Sequence, residues 1–298
     1  MLMNEEKLHD CIIIGAGPGG LQAAIYLGRY NRDVLLIDRG GGRTYHARYI
    51  ENFLSHKIIS GKEIIDTGLE QAKNFRVQIH KGQVAKVLKK EHFEVFTPDS
   101  RFLSRFVIVS SGVYDNLPDL DNIHKFLGKG FFTCVDCDGY KTTGKKLVIL
   151  GDSATAIPLA LAMKEMFTDD VRLLLLSYDP PEDYRAELQN EDISLIKGRP
   201  VRIVGDKKIE AVELEDGRSV ECEVILSDFG FSLNDEFLSE LPLKKDSDSR
   251  YITNRHYESS VAGLYIVGPL NTGNDQAIIA AGEGAVAAID IKSRLLDI

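Results

Sequence analysis

Cys11-Ile12-Ile13-Ile14-Gly15-Ala16-Gly17-Pro18-Gly19-Gly20 is a short apolar run that breaks into glycines, and Leu21 to Arg29 after it carries helical spacing. A second apolar run, Asp33 to Ile37, ends at Asp38. Strand, glycine turn, helix and strand make a βαβ unit. Its glycines have separate uses: Gly15 closes the tight turn, Gly17 lets backbone approach a pyrophosphate, and Gly20 lets the helix pack on the strand. The helix N-terminus then offers unpaired N–H groups to the phosphates. Asp38 stands 23 residues after Gly15, where a carboxylate can accept hydrogen bonds from ribose hydroxyls. Glycine clusters also mark ordinary turns, but strand before, helix after and acid at that spacing together specify an adenine dinucleotide site.

The plan recurs downstream. Lys146 to Leu150 is an apolar strand, Gly151-Asp152-Ser153-Ala154-Thr155-Ala156 its turn, Ala156 to Phe167 a helix with Pro158 in its first turn, and Val171 to Leu176 the next strand. Between the two units, Arg76 to Phe96 and Phe102 to Ser111 alternate like antiparallel strands and close on Ser110-Ser111-Gly112. After the second unit, Val201 to Leu214 and Ser219 to Ser227 alternate likewise, around an Asp216-Gly217 hairpin signal. Domain boundaries are expected at Val113 to Leu120 and in the polar stretch Lys244 to Arg250. Tyr265-Ile266-Val267-Gly268 leads a strand into a glycine turn, and Asp275 to Leu296 is a long helix rich in small residues from Ala277 to Ala288. Small residues allow close approach to another backbone or to a flat ring, and spacing alone leaves both open.

The 298 residues, 44% of them apolar, suffice for one or two cored domains of ~100–200 residues. A net charge of -9, with no run of Lys or Arg beyond two, argues against nucleic acid or an anionic membrane as the main partner. The start leads into only four apolar residues, Cys11 to Ile14, too few for a signal-peptide core or a membrane span, so a cytoplasmic protein is expected. Of the four cysteines only Cys134 and Cys137 are close, and such a pair in a reducing compartment does redox or metal work. Zinc would need two further ligands and no second Cys or His pair stands at ligand spacing, so no metal is expected. At a helix start, two cysteines separated by two residues can close a disulfide and gain thiolate character from the helix N-terminus. Asp136 between them works against that gain.

In order along the chain stand the first glycine turn, Ala23-Ala24-Ile25-Tyr26, Gly41-Gly42-Arg43, Glu51-Asn52-Phe53, Cys134-Val135-Asp136-Cys137-Asp138-Gly139, and Gln276 to Gly284 with its Gln-Ala-Ile and Ala-Gly-Glu-Gly. With these motifs the chain resembles the low-molecular-weight thioredoxin reductases over nearly its whole length. The resemblance implies an α/β fold of two Rossmann-like three-layer dinucleotide-binding domains, the second inserted into the first. Residues 1–114 and 246–298 would form a discontinuous FAD domain, and residues 115–245 an NAD(P)H-binding-like domain carrying the cysteine pair. It also implies FAD contacts from Gly15, Gly17, Pro18, Gly19, Gly20, Asp38, Arg39, Gly42, Arg43, Asn52, Val84, Gly112, Gly268, Asp275, Gln276 and Ala277. The last helix would turn its N-terminus to the flavin's N1 and O2 side, where its dipole can stabilise the anionic reduced ring. Three catalytic roles follow from the resemblance: Cys137 against the flavin C4a carbon, Cys134 as the thiol that attacks a partner's disulfide, and Asp138 as the proton carrier. A thioredoxin-like partner and a homodimer follow likewise.

The departures concern the electron donor. Family members that use NADPH carry a second glycine in the second turn and basic residues after its second strand, because Arg fits the 2′-phosphate. Here Ser153 replaces that glycine, Asp152 brings negative charge, and Ser177-Tyr178-Asp179-Pro180-Pro181 stands where the basic cluster belongs. Asp179 could hold unphosphorylated ribose hydroxyls, so the second site is expected to take NADH, a second FAD or nothing, rather than NADPH. Pro269 replaces the Asp that binds the ribityl chain, a loss of one hydrogen bond worth about 0.5–1.5 kcal/mol. These losses resemble the members that take electrons from ferredoxin or carry a second flavin. The expected function is a flavin-dependent disulfide reductase, running from a non-NADPH donor such as ferredoxin, through FAD and Cys134–Cys137, to a thioredoxin-like protein. An NAD(P)H-dependent thioredoxin reductase and a flavin-bound redox sensor without turnover are the competing readings.

Overall fold

The computed structural model describes residues 7–297. The chain divides into two compact units, one ending its first segment at Tyr114 and resuming at Ser232, the other running Asp115–Phe231. The return at Ser232 comes ahead of the boundary expected between residues 245 and 246. The intervening segment is held by the first unit: Asn234 donates from Nδ2 to the Ser111 carbonyl at 3.1 Å and its own carbonyl accepts from the Ser111 hydroxyl at 2.7 Å. Asp235 then accepts hydrogen bonds from the Tyr251 hydroxyl at 2.7 Å and Lys245 Nζ at 2.8 Å.

The first segment runs β1 (Leu8–Ile14), α1 (Pro18–Arg29), β2 (Val34–Asp38), α2 (Arg43–His46), α3 (Gly61–Asn74), β3 (Gln78–Lys81), β4 (Lys86–Lys89), β5 (Phe93–Phe96), β6 (Arg101–Val109) and β7 (Val113–Asp115). Cys11, Ile12 and Ile13 have no exposed surface, the unbroken apolar reading of a strand covered on both faces. Ser60 caps α3 by accepting the Glu63 N–H at 3.1 Å.

In the second unit follow α4 (Ile123–Phe126), β8 (Phe131–Phe132), α5 (Val135–Asp138), β9 (Leu147–Gly151), α6 (Ala156–Met166), β10 (Val171–Leu175), α7 (Glu182–Asn190), β11 (Ser194–Lys197), β12 (Pro200–Val204), β13 (Ala211–Leu214), β14 (Ser219–Glu221) and β15 (Val224–Asp228), and β16 (Phe231–Leu233) spans the return to the first unit. Its parallel sheet has the order β11-β10-β9-β15-β8. Alternate residues face opposite ways: Leu147, Ile149, Leu173 and Leu226 pack with Ile157, Ala160 and Met163 of α6. On the other face Val148, Leu150, Leu174 and Ile225 pack with Ile203, Val212 and Val220 of the antiparallel sheet β12-β13-β14. The sequence runs Val201 to Leu214 and Ser219 to Ser227 are therefore two strands each. Gly205, at φ 139°, makes the break in the first, since a Cβ there would meet the Lys208 carbonyl at 2.0 Å. The second passes from the antiparallel sheet to the parallel one between Glu221 and Val224. The Asp216-Gly217 hairpin forms where expected, with Gly217 at φ 86°.

Back in the first unit come β17 (Leu264–Ile266) and α8 (Ala277–Leu296). The seven-stranded sheet has the order β3-β2-β1-β6-β5-β4, with β17 also on β6. Along one edge β6 pairs with β1 from Leu103 to Val109; along the other it pairs antiparallel with β5 at Arg101 to Ser104 and parallel with β17 at Val107 to Val109. The alternating run is thus only partly antiparallel, because β3 and the second half of β6 belong to the parallel part. Helices α1, α3 and α8 bury Leu27, Ile65 and Ile291 against Ile13, Leu36 and Ile108 of this sheet.

Candidate active site

Strand order reverses between β1 and β6, and at the carboxyl ends of these strands lies a cavity of about 570 Å³. Of the residues singled out for a cofactor, Gly15, Gly17, Pro18, Gly19, Asp38, Arg39, Gly42, Arg43, Val84, Gly112, Gly268, Asp275, Gln276 and Ala277 line it. Gly20 and Asn52 are not among its walls. Gly20 stands behind, its N–H donating to Ser110 Oγ at 2.9 Å, and a Cβ there would lie 2.0 Å from the Gly15 carbonyl oxygen. Asn52 reaches the wall through Gln276, donating from Nδ2 to Oε1 at 3.0 Å.

Two wall glycines have no explanation within the protein. Gly17 and Gly42 have φ of -67° and -70°, open to any residue. A Cβ on Gly42 would meet nothing within 4 Å, and one on Gly17 would only reach ordinary contact with Ser110 at 3.7 Å. Gly15 is different: its φ of 97° and the Ser110 carbonyl at 2.4 Å from a Cβ demand glycine. Side chains at 17 and 42 would occupy cavity space, so their absence clears room for a ligand, and an elongated dinucleotide beside the N-terminus of α1 fits these walls.

Asp38 already has partners: its two carboxylate oxygens accept the Ala16 N–H and the Gly40 N–H, each at 2.9 Å. It ties the glycine turn to the loop after β2, leaving one lone pair on each oxygen for a ribose. Asp275 is likewise engaged, in a two-point pair with Arg250 at 2.8 and 3.1 Å. Gln276 stands at the N-cap of α8, its side chain making no capping hydrogen bond to the helix's own N–H groups, so the first N–H groups of a 20-residue helix begin at the cavity wall.

The small-residue face of α8 meets a backbone. Gly284 lies against Gly19 of α1, where a Cβ would be 2.0 Å from the Gly19 carbonyl oxygen. Sequence reasoning missed Glu283, which is buried among these small residues. It accepts the Gly268 N–H at 2.5 Å and the Asn271 side-chain N–H at 2.8 Å, holding the Gly268-Pro269 turn of the cavity wall. Burial pushes its carboxyl above the ordinary glutamate value, outweighing these two hydrogen bonds. A carboxylate among the Ala and Gly residues from Ala277 to Ala288 was the available signal.

In the second unit Cys134 and Cys137 form a disulfide, with Cα atoms 5.3 Å apart. The Cys137 N–H donates to Cys134 Sγ at 3.2 Å. α5 is a single turn of four residues followed by a short 3-10 turn, too short to sum many peptide dipoles, so the expected thiolate stabilisation by a helix N-terminus is not built here. Asp136 is exposed. Asp138 accepts from Lys141 Nζ at 2.8 Å, a cation one turn on that the motif did not flag.

The second glycine turn is closed upon the protein. Asp152 accepts the Ser177 N–H and Tyr178 N–H at 2.6 Å and the Ser177 hydroxyl at 2.7 Å. Burial pushes its carboxyl up, but these donors outweigh it and leave it below the ordinary aspartate value. Ser153 and Thr155 share a hydrogen bond at 2.6 Å, and Thr155 donates to Asp228 at 2.7 Å. Asp179 is flanked by Lys197 and Arg185, whose hydrogen bonds hold its carboxyl below the ordinary value. Those two cations, distant in sequence from the turn, were not anticipated. Cys11 and Cys222 are buried, and burial pushes the Cys222 thiol up to about 12. Among the described residues no group of three or more His, Cys, Asp and Glu side chains could hold a metal ion, and no helix is long and apolar enough to cross a membrane.

The chain is 27% identical over 311 residues to the thioredoxin reductase of Bacillus subtilis (strain 168), covering 97% of this chain and 96% of that one. It is 29% identical over 308 residues to the thioredoxin reductase of Aquifex aeolicus (strain VF5), covering 98% and 94%. The crystal structure of HlmI superposes with a TM-score of 0.91 at 28% identity, covering 97% of this chain and 93% of that one. The family description for pyridine nucleotide-disulphide oxidoreductases matches residues 9–284, which takes in the first glycine turn, the cysteine pair, the second turn and the start of α8. The chain belongs to the pyridine nucleotide-disulphide oxidoreductase family.

Proposed function

We propose that this chain is a flavin-dependent disulfide reductase of the cytoplasm, acting as a homodimer, with FAD in the cavity of the first unit and a thioredoxin-like protein as its acceptor. The Cys134–Cys137 disulfide carries the proposal, because it supplies a two-electron, two-proton couple in a chain of this family. Gly15, Gly17, Pro18 and Gly19 would hold the pyrophosphate and Asp38 and Arg39 the adenosine side. Gly42, Arg43, Val84, Gly112, Gly268, Asp275, Gln276 and Ala277 would line the remainder, with Gly20 and Asn52 acting through Ser110 and Gln276. Bound FAD would supply the electron pair that opens the disulfide, with Cys137 as the sulfur that meets it.

The exchange then balances on this chain's own sulfurs. The Cys134 thiolate attacks one sulfur of the partner's disulfide and releases the other as a thiolate. The Cys137 thiolate attacks Cys134 Sγ, reforming the disulfide and freeing the partner's second thiolate. The two released thiolates take up two protons. Asp138, next to Cys137 in sequence and hydrogen-bonded by Lys141, would carry them.

For the donor we favour a protein such as ferredoxin over NADPH. Arg185 and Lys197 are both committed to Asp179, so a 2′-phosphate would have to displace that carboxylate. Asp152 and Thr155 close the second turn with side chains. NADH or a second FAD would suit Asp179 better than NADPH does. The same two cations support the second reading, an NAD(P)H-dependent thioredoxin reductase, if Asp179 swings aside. Anaerobic mixing with NADPH, NADH and reduced ferredoxin, followed by flavin absorbance, separates these: ferredoxin should bleach the flavin, and fast bleaching by NADPH would defeat the donor assignment.

A further inference from the structure

Between α2 and α3 the chain forms a loop closed at its neck by Ile50 and Ile59, whose backbones exchange hydrogen bonds of 2.8 and 3.0 Å. Ser55, at φ 77°, turns its tip. The loop displays apolar side chains outward: Leu54 is 83% exposed, Ile58 60% and Tyr49 56%. Arg48, His56 and Lys57 are exposed among them. Neither Arg48 nor Lys57 pairs with a carboxylate among the described residues, whereas Lys86, Lys125, Lys146, Arg202 and Arg218 are each matched with one. Within the loop itself, residues 47 to 60, two cations, Arg48 and Lys57, stand against a single carboxylate, Glu51, in a chain of net charge -9. Asn52 of the same loop hydrogen-bonds Gln276 on the cavity wall.

We infer that this loop is the docking surface for an acidic electron-transfer protein, an inference that rests on the ferredoxin-like donor proposed above. A body of net charge -9 repels an acidic partner, so a basic loop selects where it lands and speeds its arrival. Leu54, Ile58 and Tyr49 supply the apolar centre that such a contact needs beside its charges. The bridged neck presents them already ordered, which limits the entropy lost on docking. A second copy of this chain is the poorer occupant, because a two-fold contact through this patch would bring two copies of the same cations, Arg48 and Lys57, into one interface. A one-electron carrier would dock twice for each disulfide, delivering two electrons while two protons come from solvent.

The test uses the whole flavin-loaded protein, its Arg48→Glu/Lys57→Glu double variant, a Leu54→Ser variant, and a Lys207→Glu/Lys208→Glu control on an exposed turn of the second unit. The probe is a purified acidic bacterial ferredoxin, with association followed by stopped flow at low and high salt. The double variant should associate roughly tenfold or more slowly at low salt and lose most of its salt dependence. Leu54→Ser should speed dissociation, and the control should match wild type. Equal association by the double variant and wild type, no binding by wild type, or conversion of a dimer to monomers by the loop variants would each overturn the docking site. Ferredoxin that binds through the loop yet leaves the flavin oxidised would sink the donor assignment and leave the docking site standing. Ferredoxin that bleaches wild type and double variant alike would do the reverse.

Discussion

Alanine at position 284 probes how α8 is seated. A Cβ there would lie 2.0 Å from the Gly19 carbonyl oxygen, 2.8 Å from its carbon and 3.1 Å from its Cα. All three are backbone atoms, so no rotamer change relieves the clash, and the helices must part by about 1 Å to restore a tolerable contact. In an unpacked helix the same change would gain about 1 kcal/mol. Against that stands an overpacking cost of about 1–3 kcal/mol, the upper end being apt where backbone meets backbone. The net loss should reach about 1–2 kcal/mol, lowering the melting temperature of the first unit by about 2–8 °C. Gly282 lies on the same helix, exposed, with nothing within 4 Å of its Cβ position. Gly282→Ala should therefore be neutral or gain up to about 1 kcal/mol. Thermal and urea unfolding of both variants by circular dichroism decides it. A Gly284→Ala protein as stable as wild type, or a Gly282→Ala protein that falls as far, would refute this seating of α8.

Because burial raises the Glu283 carboxyl, the folded state keeps a proton that the unfolded chain releases. Its contribution is complete below the ordinary glutamate range and is lost as pH rises through the raised value. Glu283→Gln should thus gain stability relative to wild type as pH rises across that window; parallel stability–pH curves would contradict it. Gly42→Val should leave the unfolding free energy within about 0.5 kcal/mol and yet lower the flavin retained after gel filtration, since its Cβ projects into clear cavity space. Undiminished flavin would show that the cavity is not the cofactor site. Cys134→Ser should leave Cys137 free to give a long-wavelength charge-transfer band with oxidised flavin, and the lack of any band would reverse the assignment of the two sulfurs.

Local pattern reached a long way into this molecule. The first glycine turn, the acid after β2 and the hairpin at Asp216-Gly217 depend on φ, side-chain size and spacing within a few residues, and all stand where periodicity put them. Misreadings came where one strand has different neighbours along its length. The alternation in Phe102 to Ser111 looks the same whether the neighbour is antiparallel β5 or parallel β17, the latter arriving from more than 150 residues away. The second boundary is ambiguous for a similar reason: Lys244 to Arg250 has a linker's polarity, while the compact first unit resumes at Ser232 and Asp235 binds Tyr251 and Lys245.

What the amino-acid order determined by itself was the pair of βαβ turns, the cysteine spacing and the family to which they point, because each is a short-range requirement on backbone and side-chain type. Only the tertiary structure decided that Asp152 turns to Ser177 and Tyr178, that Arg185 and Lys197 flank Asp179, and that Glu283 holds Gly268 beneath the cavity. It also decided that Gly284 of α8 serves a contact with α1 while Ala277 lines the cavity. A side chain's charge is visible in sequence, but its partner depends on which distant segments the sheet order brings within hydrogen-bond reach, and that partner determines whether the charge remains available to a ligand.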